Sequence, residues 1–229
     1  MKKIMFNDKY GLTNAVLQGR KTMTRRMVSV PEYWHGMWVW GFSFDKQSHS
    51  LLLYDADERP MEDHDTGECA YIKPRYKIGE VVAVSQSYKD LGYTKEWVEQ
   101  HISPNPNAKP TDPFEKKYPG WNNKMFTPSE LNNVRKIQIT DIKAERLQDI
   151  SDEDVYKEGF RKETINNGWS NAAWYWEAVL TYTDNSGRYK EIRSESPKEA
   201  FSFLIDKVSG NGTWERNDWQ FAYTFKLVK

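Results

Sequence analysis

A single cysteine, Cys69, stands among 229 residues, and one cysteine cannot close an internal disulfide. A reducing compartment is therefore expected. No apolar run reaches the roughly 18 residues that a bilayer-crossing helix needs, and Met1 to Phe6 lack the apolar stretch of a secretory leader. The expectation is a soluble, cytoplasmic protein without a membrane partner. Net charge is missing too. The 33 basic and 33 acidic residues cancel, so no global field gathers nucleic acid and any anion site has to be local. There is no phosphate-cradling glycine loop, no Gly-x-Ser-x-Gly elbow and no Cys/His nucleophile arrangement, which disfavours nucleoside-triphosphate hydrolysis and thiol catalysis. His35, His49, His64 and His101 are scattered, none at ligand spacing from Cys69 or another histidine, so neither a metal nor a cofactor is expected. Repeats and low-complexity tracts are absent.

Aromatic side chains are abundant: 14% of residues, with ten tryptophans. They serve a packed core in one reading and base-stacking surfaces in the other. A chain of this length buries roughly 70 to 75% of its extended surface. One β-rich domain over 1–229, carrying large insertions, is the natural expectation.

Leu12, Ala15 and Val16 fall at helical spacing between Asp8 and Gln18, with Gly19 as a left-handed stop. The following Gly19 to Arg26 segment fits a strand. Trp38, Trp40, Phe42 and Phe44 alternate and Leu51 to Tyr54 return, so 37–55 reads as a hairpin. Asp55 to Glu68 reads as an acidic, solvated loop. Val81 to Val84 is a short strand after the turn Lys77-Ile78-Gly79-Glu80. Six prolines between Leu91 and Pro128 exclude long regular elements from much of that segment, which is read as an insertion or lid outside the core. Arg135, Ile137 and Ile139 mark a strand that Ile142 and Leu147 extend. Ser151 caps a helix with Asp152, Glu153 and Asp154 in its first turn, and Gly159 ends it. A hairpin is expected over 179–193 around Asp184-Asn185-Ser186-Gly187. Ser196 and Pro197 open a further helix with Phe201, Leu204, Ile205 and Val208 as its buried stripe, and Trp219 to Leu227 alternate as a closing strand. Strands outnumber helices, so the class is α+β and β-rich, without the strand-helix-strand units of a parallel doubly wound sheet.

Three features carry chemistry. Arg20, Lys21, Arg25 and Arg26 place four cations in seven residues, suited to a phosphate or other anion, or to a solvated edge strand that discourages sheet-to-sheet pairing. Lys21 beside Thr22 and Thr24 supplies an amine next to hydroxyls, the pairing that activates a threonine nucleophile if the amine can be neutral. On a regular strand Lys21 and Thr24 point to opposite faces, so their cooperation requires a bend just after Gly19. Glu158 sits in the last turn of its helix, where the dipole disfavours a carboxylate. That position suits a proton donor or shuttle, or belongs to an exposed residue of no consequence.

Gly19-Arg20-Lys21-Thr22-Met23-Thr24-Arg25-Arg26 resembles the G-x-K-T-x-T-x-R signature of the ASCH family. Lys77-Ile78-Gly79-Glu80-Val81 is similar to the family's K-x-G-D turn, with Glu80 for the usual aspartate. Arg146 to Ser151 and Glu158-Gly159-Phe160 resemble the helix-opening motif of its phage and prophage branch, as does the ending Gly212 to Trp219. Ser85-Gln86-Ser87-Tyr88 departs from that branch's Arg-Glu-x-Trp. The matches cover about half the chain and leave 31–70 and 91–130 as insertions. The resemblance implies a PUA-like mixed β-barrel with a few peripheral helices, in a group linked to RNA and modified nucleosides. It further implies hydrolysis of 4-N-acylated cytidine, with Lys21 deprotonating Thr24, Thr24 attacking the acyl carbon and Glu158 protonating the departing amine. Arg20, Arg25 and Arg26 would hold the ligand, Arg26 steadying an oxyanion or anionic group.

Three readings follow: an amidohydrolase acting on an acylated nucleoside through Lys21, Thr24 and Glu158; a non-catalytic RNA or modified-base reader using the basic segment; and a protein-interaction module presenting the aromatic hairpin. Oligomeric state is not legible.

Overall fold

A computed structural model describes residues 1–63, 65–102, 113–118, 120–125, 127–131, 133–166, 174–183 and 186–228. In chain order the elements are β1 (Lys3–Ile4), α1 (Leu12–Leu17), β2 (Met23–Met27), β3 (Tyr33–Trp34), β4 (Met37–Trp38), β5 (Gly41–Asp45), β6 (Ser50–Tyr54), β7 (Tyr71–Ile72) and β8 (Val81–Val84). There follow α2 (Lys95–His101), α3 (Pro113–Lys117), β9 (Lys136–Arg146), α4 (Asp152–Lys157), β10 (Arg161–Asn166), β11 (Trp174–Thr183), β12 (Tyr189–Ser194), α5 (Pro197–Ser209), α6 (Thr213–Arg216) and β13 (Trp219–Val228). The α+β, strand-rich class expected from the sequence is what forms. No sheet made by the described residues closes on itself, so the expected barrel is not seen. Closure requires a shared tilt and stagger; β1, β3, β4 and β7 are two residues each and offer little length for either.

The chain divides into two compact units. The first comprises Met1–Phe6, Val81–Gln138 and the chain end from Leu227. In it β1 lies parallel to β8, with Lys3 opposite Ala83, and β8 runs antiparallel to the start of β9, with Val82 opposite Ile137. The segment expected to be an insertion or lid outside the core carries a buried cluster of its own. Tyr88, Val98 and Tyr118 are buried together, with Tyr93, Trp97, Phe114 and Trp121 packed on them. Thr94 caps α2 by accepting from Trp97 N, and Pro113 begins α3, the one helical place where its missing N–H costs nothing. Aromatics spread over some thirty positions leave no periodic trace, so the sequence did not announce this cluster, while the elements described there, α2 and α3, are short, as the prolines implied. Pro104, Pro106, Pro110 and Pro119 lie outside the described residues.

The second unit comprises Asn7–Glu80 and Ile139–Lys226. Here β2 pairs antiparallel with β13, Thr24 opposite Tyr223 and Arg26 opposite Phe221, while the later part of β9 flanks β13 on its other side. Separate antiparallel sheets are made by β5-β6-β7, β3-β4 and β10-β11-β12. The expected 37–55 hairpin is two structures. β4 pairs back to β3, β5 pairs forward to β6, and the alternation breaks between them. The acidic stretch after β6 is not all loop, since Tyr54 bridges Pro60 and Glu62 bridges Cys69. Gly11, at φ 65°, splits the expected helix into a 3-10 turn at Asp8–Tyr10 and α1. The β11–β12 hairpin forms as expected; Asp184 and Asn185 of its turn lie outside the described residues. Ser151 and Ser196 cap α4 and α5 by accepting from Asp154 N and Glu199 N. On α5 the buried stripe is Ala200, Phe201 and Leu204; Ile205 is half-buried and Val208 exposed, because the last turn runs out beyond the core.

Candidate active site

The site belongs to the second unit and starts from the end of α1. Gly19 at φ 73° donates to Val16 O, and Arg20 N and Lys21 N both fold back onto Ala15 O at 2.9 and 3.0 Å. The bend that cooperation demands is therefore present, and β2 begins only at Met23. Thr22 N donates to Lys157 O at 2.8 Å, which ties this bend to the end of α4. Gly159, at φ 110°, follows; a Cβ there would stand 3.4 Å from Lys21 Cβ and 3.5 Å from Ala15 Cβ. The backbone conformation calls for glycine, while the added Cβ would make ordinary contacts.

This packing turns Lys21 inward, leaving it 2% exposed. Its Nζ donates to the Glu158 carbonyl at 2.9 Å and pairs with Glu158 Oε2. Burial lowers the Lys21 pKa; Glu158 works against that shift, and Arg26 and Arg25 add to it. Glu158 is buried as well, and Arg25 Nη1 donates to its second oxygen, Oε1, at 2.9 Å.

Arg25 continues the network. Its Nη2 reaches Glu145 Oε1 at 2.7 Å and Asp154 Oδ2 at 3.5 Å. Lys143 bridges Asp154 and Glu145 at 2.6 and 2.8 Å, and Lys157 holds the other Asp154 oxygen at 2.9 Å. Burial opposes ionisation of Asp154, but hydrogen bonds from Lys143 and Lys157 prevail and hold its carboxyl below the ordinary value. Arg25 also lies over the Phe201 ring, 5.6 Å from its centroid.

Thr24, on the other face of β2 from Arg25, is buried opposite Tyr223. The Tyr223 hydroxyl accepts from Arg75 N at 3.0 Å, and the Tyr76 and Tyr223 rings meet edge-on at 5.2 Å. Burial raises both phenol pKa values. Arg26 shares the Thr24 face; burial disfavours its charge, Tyr76, Glu158 and Tyr223 offset this, and Arg75 reinforces it.

Of the residues singled out in the sequence, the structure gathers Lys21, Glu158 and Arg25 into one buried cluster. The side-chain hydrogen bonds of Lys21 and Glu158 go to each other and to Arg25, and Thr24 takes no part in them. Arg20 is exposed and donates to Gln18 Oε1 at 3.0 Å. Glu145, Asp154 and Lys143 were missed, as were Tyr76 and Tyr223. The available signal was on β9, where Lys143 and Glu145 alternate with buried Ile142 and Ala144.

No group of His, Cys, Asp and Glu among the described residues could hold a metal, and His64 lies outside them. Among the described residues no helix is long and apolar enough to cross a membrane. No protein-family model, curated protein or solved structure matches the chain.

Proposed function

We propose that the chain is a cytoplasmic ASCH-type protein of PUA-like ancestry that takes a nucleoside, free or within RNA, and removes the acyl group from a 4-N-acylated cytidine. The observation that supports this reading is the buried pairing of Lys21 with Glu158, 137 positions apart in the chain, with the amine's proton affinity lowered. A lysine and a carboxylate that share one proton in a low-dielectric setting can exchange it, which yields the neutral amine that nucleophile activation requires.

In the proposed sequence the Lys21 proton passes to Glu158, and the neutral Lys21 takes the Thr24 hydroxyl proton as Thr24 Oγ attacks the acyl carbon. Arg26, on the Thr24 face, faces the developing oxyanion. Glu158 protonates the cytosine nitrogen as the C–N bond breaks, leaving an acyl ester on Thr24. Water then cleaves the ester, so one amide and one water give cytidine and a carboxylic acid. The substrate has to bring Thr24 and Lys21 within hydrogen-bond reach, a tightening that catalytic contacts commonly show on binding.

The test is release of cytidine from 4-N-acetylcytidine by the purified protein, beside Lys21→Ala, Thr24→Val and Glu158→Gln, with circular dichroism to confirm folding. The expected result is turnover that falls by at least about 100-fold in each folded variant. Absence of turnover in the folded parent protein overturns the hydrolase and leaves recognition of RNA or a modified base, readable as salt-dependent binding that Arg20→Ala and Arg26→Ala weaken.

A further inference from the structure

Residues 31–70 hold nine carboxylates and two cations, Lys46 and Arg59, a formal charge of −7 in a chain whose total is zero. The same stretch presents rings to water. In the β3–β4 pair, Tyr33 lies opposite Trp38 and Trp34 opposite Met37. Trp34 and Val39 pack on the small core of Leu53, Met61 and Ala70. By strand alternation Tyr33 and Trp38 take the other face, and Trp40 stands two positions beyond β4. They are 49%, 56% and 72% exposed. Tyr33 and Trp38 already stack on one another, with ring centroids 4.1 Å apart, so the face is built and not merely uncovered.

Carboxylates outnumber cations in the sequence around it. Glu32 precedes Tyr33 and is exposed. Trp40 N donates to Tyr54 O at 2.9 Å, which sets the Asp55–Glu58 turn directly after Trp40's partner. In that turn Asp55 and Asp57 are held by Arg59. Glu32, Glu58 and Glu62 are exposed and make no ion pair among the described residues. Exposed aromatics rimmed by one sign of charge mark an interaction surface. Anionic polymers and anionic lipid surfaces are repelled by it, while guanidinium and ammonium groups gain both a ring face and a carboxylate.

We infer that the β3–β4 face of Tyr33, Trp38 and Trp40 docks a basic protein segment, one that alternates Arg or Lys with apolar residues. The cations sit over Trp38 and Trp40, drawn by the excess of carboxylates in 31–70, Glu32 and Glu58 among them, and the apolar side chains cover the stacked rings. This surface is independent of Lys21 and Glu158 and serves with or without the proposed hydrolysis.

A fluorescein-labelled twelve-residue peptide of alternating arginine and leucine is titrated into the full chain by anisotropy, beside the peptide with glutamate for arginine. Saturable binding of the arginine peptide alone is expected. Trp38→Ala with Trp40→Ala should weaken it by about tenfold or more, as loss of aromatic anchors does at protein interfaces. Glu32→Lys with Glu58→Lys should weaken it and flatten its salt dependence. All four positions are at the surface, and circular dichroism verifies that the variants fold. Binding that the tryptophan variant leaves intact overturns the inference, as does the absence of saturable binding. Concentration-dependent dimerisation in sedimentation that Trp40→Ala abolishes also overturns it, in favour of a second copy, and preferential binding of a single-stranded RNA overturns it in favour of nucleic acid.

Discussion

Arg25 and Arg59 are both arginines shared between carboxylates, and they differ in nearly everything that decides what such a contact contributes. Arg25 is buried, and its two terminal nitrogens serve Glu158, Glu145 and Asp154, which come from elements 120 to 133 positions away. Arg59 is 68% exposed at its side chain and touches Asp55 and Asp57, four and two positions before it. Water can replace every partner of Arg59, whereas nothing can replace those of Arg25 without opening the fold. The number of ion pairs therefore says little about their importance; exposure and the sequence distance they span say more.

The first way to break this comparison is Arg25→Met. The side chain is similar in length and keeps its contact with Phe201, but Glu158, Glu145 and Asp154 lose their shared cation inside the protein. Removing one partner of a buried ion pair costs about 3 to 5 kcal/mol where the remaining charge is left uncompensated; Lys21, Lys143 and Lys157 stay on these carboxylates, so the expected loss is about 2 to 3 kcal/mol. Urea denaturation should show a loss of that size without a change in the native fold. A loss below about 1 kcal/mol would mean that Arg25 is as replaceable as Arg59.

The same contrast explains which parts of the molecule were legible beforehand. The Ser151 and Ser196 caps rest on contacts within a few residues, and β8 and β13, though paired to distant strands, carry a local apolar pattern that periodicity expresses directly. The left-handed stop at Gly19 was legible for the same reason. Barrel closure was not, because it depends on how distant strands stagger. The aromatic core of the first unit was hidden because its rings are spread over the segment without a period. Around the site, Lys21, Thr24 and Glu158 could be named together through family resemblance alone. The carboxylate partners of Arg25 were not legible because, on β9 and α4, they look in sequence like ordinary surface charges; only folding brings them to it.

Acidification sharpens the comparison at an intermediate scale. Asp154 is held below the ordinary aspartate value of 3.8, chiefly by hydrogen bonds from Lys143 and Lys157 acting against burial. With the folded pKa below the unfolded one, the contribution of this carboxylate is fully present above 3.8 and is lost as pH falls through the lower folded value. Denaturation midpoints followed downward from about pH 5 should drop less steeply in Asp154→Asn than in the parent protein. Because the network is buried, the difference between the two should survive added salt, which screens exposed pairs far more strongly. A difference that salt removes would place Asp154 with the surface charges.

The smallest effect belongs to Arg59→Ala. The substitution takes away both ion pairs and a hydrogen-bonded guanidinium. It leaves the backbone hydrogen bonds that shape the turn: Asp55 Oδ1 still accepts from Asp57 N and Arg59 N, each at 2.9 Å. The Arg59 N–H is the largest cause that lowers the Asp55 pKa, ahead of the Asp57 N–H and of the Arg59 guanidinium, so the turn keeps its main anchor when the side chain is gone. The denaturation midpoint should be unchanged within experimental error, as for most exposed ion pairs. Docking of the arginine-leucine peptide should tighten slightly, because Asp55 and Asp57 are then released to meet the incoming cations. A clear loss of stability would show that an exposed arginine can carry structural weight of the kind assigned here to Arg25. Weaker peptide binding would move the docking face away from this turn.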